Sequence, residues 1–168
     1  IAAVAGTPDA AMLFLTAYVF LLRLPSEALP IVHGIVGVGH GQQAIVVVEH
    51  DCIILKLARR KNKPEGSVLK RHCWCSQCEA TCPVHVLGKY FSSLPVGAKP
   101  FASFTPATAL KVLRGFLDRG DVPEARYYRT HDLRRGHARD LLVSGSAEII
   151  LLERNFQIVI VVPHTCLT

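Results

Sequence analysis

The amino-acid sequence predicts an α+β domain, mainly helical, with a small antiparallel β-sheet. Three observations carry that expectation. Two β-branched runs, residues 43–49 and 52–57, flank a His50-Asp51 turn and read as a hairpin. Residues 105–119 begin Thr105-Pro106 and carry Leu110, Leu113, Phe116 and Leu117 at helical spacing. A further helix is expected from His131 to about residue 144, with Gly145 as its stop.

The remaining elements follow in chain order. Thr7-Pro8-Asp9 can cap and open a helix running through Leu22, with Pro in its first turn. Its 13-residue apolar stretch, Ala10 to Leu22, is too short to cross a bilayer and lacks a basic leader, so a buried core helix is expected. Pro25 and Ser26 mark a turn into a shorter helix. The glycine-rich stretch Gly34 to Gly41 matches neither a dinucleotide nor a phosphate-loop fingerprint and reads as a loop. After the hairpin comes a basic turn, residues 59–67, punctuated by Asn62, Pro64 and Gly66, and then a possible strand over 67–70. A cysteine segment and a linker over 94–100 lead to the Thr105 helix, which Thr105 caps and which Gly120 follows.

Charge is concentrated rather than spread. Of the 168 residues, 19 are Lys or Arg and 13 are Asp or Glu, a net charge of +6. Residues 56–71 hold seven of the cations against the single acid Glu65, and residues 111–139 hold eight. If both stretches face one way they form a surface suited to backbone phosphates. Basic surfaces also serve anionic membranes and acidic protein partners, so charge by itself leaves those partners open beside nucleic acid. The expected location is intracellular, and nuclear in a eukaryote.

Two separated boxes sharpen this reading. In Tyr128-Arg129-Thr130-His131-Asp132-Leu133-Arg134-Arg135, His131 and Arg134 stand three residues apart at the start of a helix. On one helical face, an imidazole and a guanidinium can converge on one anionic group. Upstream, an apolar helix runs into Arg23-Leu24-Pro25-Ser26-Glu27-Ala28-Leu29. Together the boxes resemble the first-arginine and His-x-x-Arg boxes of the tyrosine recombinase, or phage integrase-like, catalytic domain. The resemblance covers residues 10–150 and implies an integrase-like catalytic core with the small sheet between its boxes.

The resemblance also implies roles. Arg23 and Arg134 would clamp the non-bridging oxygens of a scissile phosphodiester, and His131 would assist proton transfer or phosphate contact. Glu27 would be the structural acid behind Arg23. A lysine of the basic turn, Lys61 or Lys63, would protonate the leaving 5′-oxygen. Arg59, Arg60, Arg135 and Arg139 are expected DNA contacts, and the resemblance implies double-stranded DNA as the partner, with further copies of the chain assembled on it, and no membrane. That chemistry requires no cofactor, because the guanidinium pair stabilises the charge.

The sequence departs from the family after the second box. No tyrosine follows Tyr128, and His164 lacks the context of the family's third box. Residues 1–150 are thus expected to form an incomplete catalytic domain and 151–168 a divergent apolar tail. The expected outcome is a retained phosphate clamp without the nucleophile, inactive alone.

The cysteines stand apart from this resemblance. Cys73, Cys75, Cys78 and Cys82, with His85, follow the pattern C-x-C-x2-C-x3-C-x2-H. Such soft donors can enclose a tetrahedral Zn2+. The spacing is no standard knuckle or ribbon, so a free thiol cluster in a connecting loop stands beside zinc as a reading. A zinc-binding nucleic-acid module built on this cluster is the alternative function.

Overall fold

The computed structural model describes residues 8–34, 43–60, 63–73, 75 and 79–143. The expected Thr7 cap, most of the glycine-rich loop, Lys61, Cys78, Gly145 and the 151–168 tail lie outside these residues. The fold is α+β. Helix α1 (Pro8–Val19) leads through a π-helical turn (Leu24–Ala28) into β1 (Ile31–His33), β2 (Ala44–Glu49), β3 (Cys52–Leu57) and β4 (Ser67–His72). Helices α2 (Pro83–Ser92) and α3 (Pro106–Arg119), a 3-10 turn (Ala125–Tyr127) and α4 (Asp132–Val143) follow.

The sheet has the order β1-β2-β3-β4 and is mixed, not wholly antiparallel. The expected hairpin pairs Ile45 with Lys56 and Glu49 with Cys52, and β4 adds antiparallel from Cys52–His72 to Leu57–Ser67. The short β1 adds parallel to β2, Ile31 opposite Ala44. Its outer edge is closed by backbone bonds between His33 and both Gly97 and Ala98. That closure pairs the outward backbone groups of His33.

Helix α1 is apolar nearly all round and sits in the core, with Ala10, Leu13 and Ala17 fully buried. Its buried Thr16 hydroxyl donates to the Met12 carbonyl. The helix stops three residues before the expected Leu22. Leu21 takes a left-handed φ of 54°, while the Leu22 and Leu21 amides bond back to the Ala17 and Tyr18 carbonyls. This paired closure ends a helix without glycine. Helix α3 matches its expected bounds, and Thr105 forms a reciprocal capping box with Thr108. Gly120 is its C-cap, but the left-handed residue is Asp121, at φ 52°.

Helix α2 was not foreseen in the sequence, although Pro83 opens it and Val84, Leu87 and Phe91 form its buried stripe. Glycine is required at Gly66, where φ is +86° and an added Cβ would lie 2.2 Å from the Leu57 carbonyl oxygen. That close approach folds the basic turn back on the end of β3.

Helix α4 packs on α1 through polar aromatic contacts. The Tyr18 hydroxyl donates to the Asp140 carboxylate, and the Tyr18 ring meets the His137 ring edge-on at 4.6 Å. His137 is buried, and neither ring nitrogen has a hydrogen-bond partner. Burial first, then the nearby Arg71 charge, lower its pKa from 6.5 to about 4, against an opposing pull from Asp140. The unfolded chain therefore takes up a proton near pH 6.5 that the folded chain refuses until about pH 4. Stability is unaffected by this group above that window and falls as pH drops through it. His137→Phe keeps the ring in place, so it should remove about 2 kcal/mol of acid destabilisation between pH 7 and pH 4. Urea melts of both proteins across that range measure this, and identical pH profiles would refute it.

Candidate functional site

Glu27 organises the first box. The carboxylate is 2% exposed and lies in the π-helical turn that Arg23 precedes as N-cap. It accepts the Arg23 backbone N–H at 2.9 Å and the Arg60 Nε–H at 3.2 Å. The Arg23 guanidinium lies 3.9 Å from the same Oε1 that Arg60 meets. One buried acid thus holds together the box at residues 23–29 and the basic turn, 33 residues onward. Arg60, expected at the DNA surface, has only 15% of its side chain exposed and belongs to this internal pair.

The basic turn is held in shape locally. Arg60 and Lys63 exchange both backbone hydrogen bonds, at 2.9 and 3.0 Å, and the Gly66 amide returns to the Lys63 carbonyl. Lys63 is half-buried there. Arg59 is exposed and lines, with Ser26 and Lys99, an open cleft of about 370 Å³. Lys99 comes from the linker before α3, which offered no periodic signal in the sequence.

The second box lies at the start of α4. His131 is exposed one residue before the helix, and Arg134 is half-buried in its first turn. The Asp132 carboxylate accepts the Arg129 N–H at 2.8 Å and pairs with Arg135 at 3.5 Å. Arg139 is exposed further along the helix. Tyr18 joins this helix to the segment that runs into Arg23 (previous section). Tyr18 and Asp140, which make the join, had no distinguishing pattern in the sequence.

Beneath α1, Arg71 of β4 is 4% exposed. It donates through Nε to the Val19 carbonyl at 2.9 Å and lies over the Phe20 ring. Burial lowers its pKa to about 10. The contact places a cation at the carbonyl end of α1, where the helix dipole favours it.

The cysteine segment contains a compact donor set. Cys73 follows β4, Cys82 is the N-cap of α2, and His85 lies in the first turn of α2. The donor atoms of Cys73, Cys75, Cys82 and His85 all lie within 4.8 Å of one another. Cys73 Sγ is 3.6 Å from Cys82 Sγ, and His85 Nδ1 is 3.6 Å from Cys73 Sγ and 3.2 Å from Cys75 Sγ. Donors of a tetrahedral zinc site stand about 3.5–3.8 Å apart, as Zn–S and Zn–N bond lengths require. Cys73 Sγ and Cys75 Sγ, 3.1 Å apart, are closer than that, so the set could hold a metal ion once these two thiols move apart. Cys78 lies outside the described residues.

Hydrogen bonding favours the thiolate at one member of this set, Cys82. Burial raises the Cys82 pKa, but backbone N–H groups of His85 and Val84 and the neighbouring thiols outweigh it, so the net shift is downward. Sharing hydrogen bonds with Cys73 is the main cause that raises Cys75 to about 12. The negative charge thus gathers at the amide end of α2, as at other helix N-termini. Compared with protein-family models, curated proteins and solved structures, the chain matches none. No helix among the described residues is long and apolar enough to cross a membrane.

Removing Glu27 would leave the largely buried Arg60 guanidinium without its carboxylate. Glu27→Ala should cost about 3 kcal/mol or more, the usual range for breaking a buried ion pair. An equilibrium denaturation midpoint unchanged from the native chain would show that the pair is not a structural tie.

Proposed function

We propose that this chain is the DNA-engaging core of a strand-transfer enzyme of the tyrosine recombinase kind, acting inside the cell. One observation carries the reading: residues 17–29, which hold Arg23, are tied by side-chain contacts to both cationic stretches of the sequence. Glu27 ties that segment to the basic turn through Arg60, and Tyr18 ties it to the helix bearing Arg134. A phosphate clamp needs guanidiniums from different elements at one linkage, so this reading requires Arg23 and Arg134, from the two tied elements, to reach one phosphate. Arg23 and Arg134 are the clamp in this reading, His131 its proton-handling neighbour, and Lys63 or Lys61 the acid for the leaving oxygen. Arg59, Arg135 and Arg139 supply exposed charge along the backbone. No tyrosine stands after the second arginine within these 168 residues, so covalent cleavage needs a nucleophile from outside them.

In the same reading the Cys73, Cys75, Cys82 and His85 set holds Zn2+. Three thiolates and an imidazole suit zinc, and four protein donors leave no open coordination position. The ion would tie the end of β4 to the start of α2 and take no part in chemistry. The residues themselves set the geometry: Cys82 and His85 share one helical turn, and Cys73 is held by its N–H bond to the Asp51 carbonyl.

Duplex binding tests the first part. Anisotropy titrations should show affinity that falls steeply with salt, and Arg134→Ala should weaken it several-fold and reduce the salt slope by about one. Absence of duplex affinity at low salt would refute the reading. For the ion, native mass spectrometry should find one zinc per chain, lost in Cys82→Ser, and a chelator should lower the melting temperature. Metal-free protein from zinc-replete expression would refute zinc.

A further inference from the structure

The four tyrosines fall into two pairs. Tyr18 and Tyr90 are half-buried, and their hydroxyls donate to Asp140 and Asp9. Tyr127 and Tyr128 are 61% and 38% exposed, and among the described residues their hydroxyls have no such partner. Two adjacent aromatic rings are thus left in water, three and four residues before His131. Single exposed apolar residues are ordinary, but this pair lies within a cationic run: residues 125–139 carry five arginines against one acid, Asp132.

The segment is held in place rather than loosely displayed. Glu124 adopts a left-handed φ of 58°, which starts the 3-10 turn, and the buried Ala125 anchors it. The Tyr127 amide bonds to the Glu124 carbonyl at 2.9 Å. Arg114 of α3 donates Nε–H to the Tyr128 carbonyl at 3.0 Å, and the Arg129 N–H meets the Asp132 carboxylate of α4. The Arg126 guanidinium stacks over the Tyr127 ring, 4.8 Å from its centre. Rigid aromatic rings flanked by guanidiniums match the chemistry of unpaired nucleobases, whose faces stack on aromatics while arginines meet the adjoining phosphates.

We propose that Tyr127 and Tyr128, with Arg126 and Arg129, form a stacking platform for unpaired DNA bases beside His131. The proposal rests on the DNA-binding reading above and adds to it a preference for locally melted or single-stranded DNA. A duplex hides its base faces, so the arginines alone would contact it; an unpaired strand would engage both tyrosines.

The test compares the native chain with Tyr127→Ala/Tyr128→Ala and Tyr127→Phe/Tyr128→Phe, each first shown to melt at the native temperature. The probes are a 20-nucleotide oligothymidylate containing one 2-aminopurine and a duplex of equal length. The alanine variant should bind the single strand about tenfold or more weaker and lose the 2-aminopurine quenching, with duplex affinity within about twofold. The phenylalanine variant should retain both signals, because stacking needs the ring and not the hydroxyl. Unchanged single-strand affinity in the alanine variant, or equal loss on both probes, overturns the platform while leaving DNA binding intact. A native chain that binds neither probe overturns the DNA-binding reading and the platform together.

Discussion

A carboxylate with almost no contact with water is the constraint on which the rest of this structure is arranged. Burying Glu27 costs several kcal/mol in lost hydration unless donors surround it. Three donors do so: the Arg23 amide, the Arg60 guanidinium and, more distantly, the Arg23 guanidinium. The π-helical winding of residues 24–28 is what brings Glu27 back to the Arg23 amide, with the Ala28 amide reaching the Arg23 carbonyl. Meeting that electrostatic demand draws the basic turn onto the end of the first helical segment. Two cations that would repel each other in isolation are held close by one shared oxygen.

The opposite side of α1 follows a different rule. Its contact with α4 combines an aromatic edge, a phenol–carboxylate bond and the neutral imidazole of His137. Burial first, and then the nearby Arg71 charge, disfavours a positive charge there, so His137 packs as a neutral aromatic ring. The contact thus sets α4, the helix that bears Arg134, against the same helix that leads to Arg23.

The thiol cluster adds a third connection between distant parts. Helix α2 packs on α1 and on the β2-β3 hairpin, and its first turn brings Cys82 and His85 to the end of β4. Backbone amides at that helix end favour thiolate at Cys82, whereas the bonds Cys75 makes to its neighbouring thiols favour its neutral form. In sequence the donor set lies between the two arginine boxes and shares no residue with either.

Local patterns revealed much of the architecture. The β-branched runs gave away the hairpin and its His50-Asp51 turn, and Thr105-Pro106 marked α3 to the residue, because strand preference and capping depend on near neighbours. The cysteine spacing likewise exposed the donor set, although a loop thiol cluster fitted the same letters. Other features were illegible for a shared reason. Parallel β1 owes its place to β2 and to the Gly97-Ala98 backbone, and the early stop of α1 to a left-handed leucine. Arg60 reads as one more surface cation until Glu27, far away in the chain, is folded against it. Residue order by itself determined the elements and the kinds of side chain on offer. Tertiary structure alone decided which charges are buried, which are paired and which face solvent, since those depend on the dielectric and donors that distant segments supply.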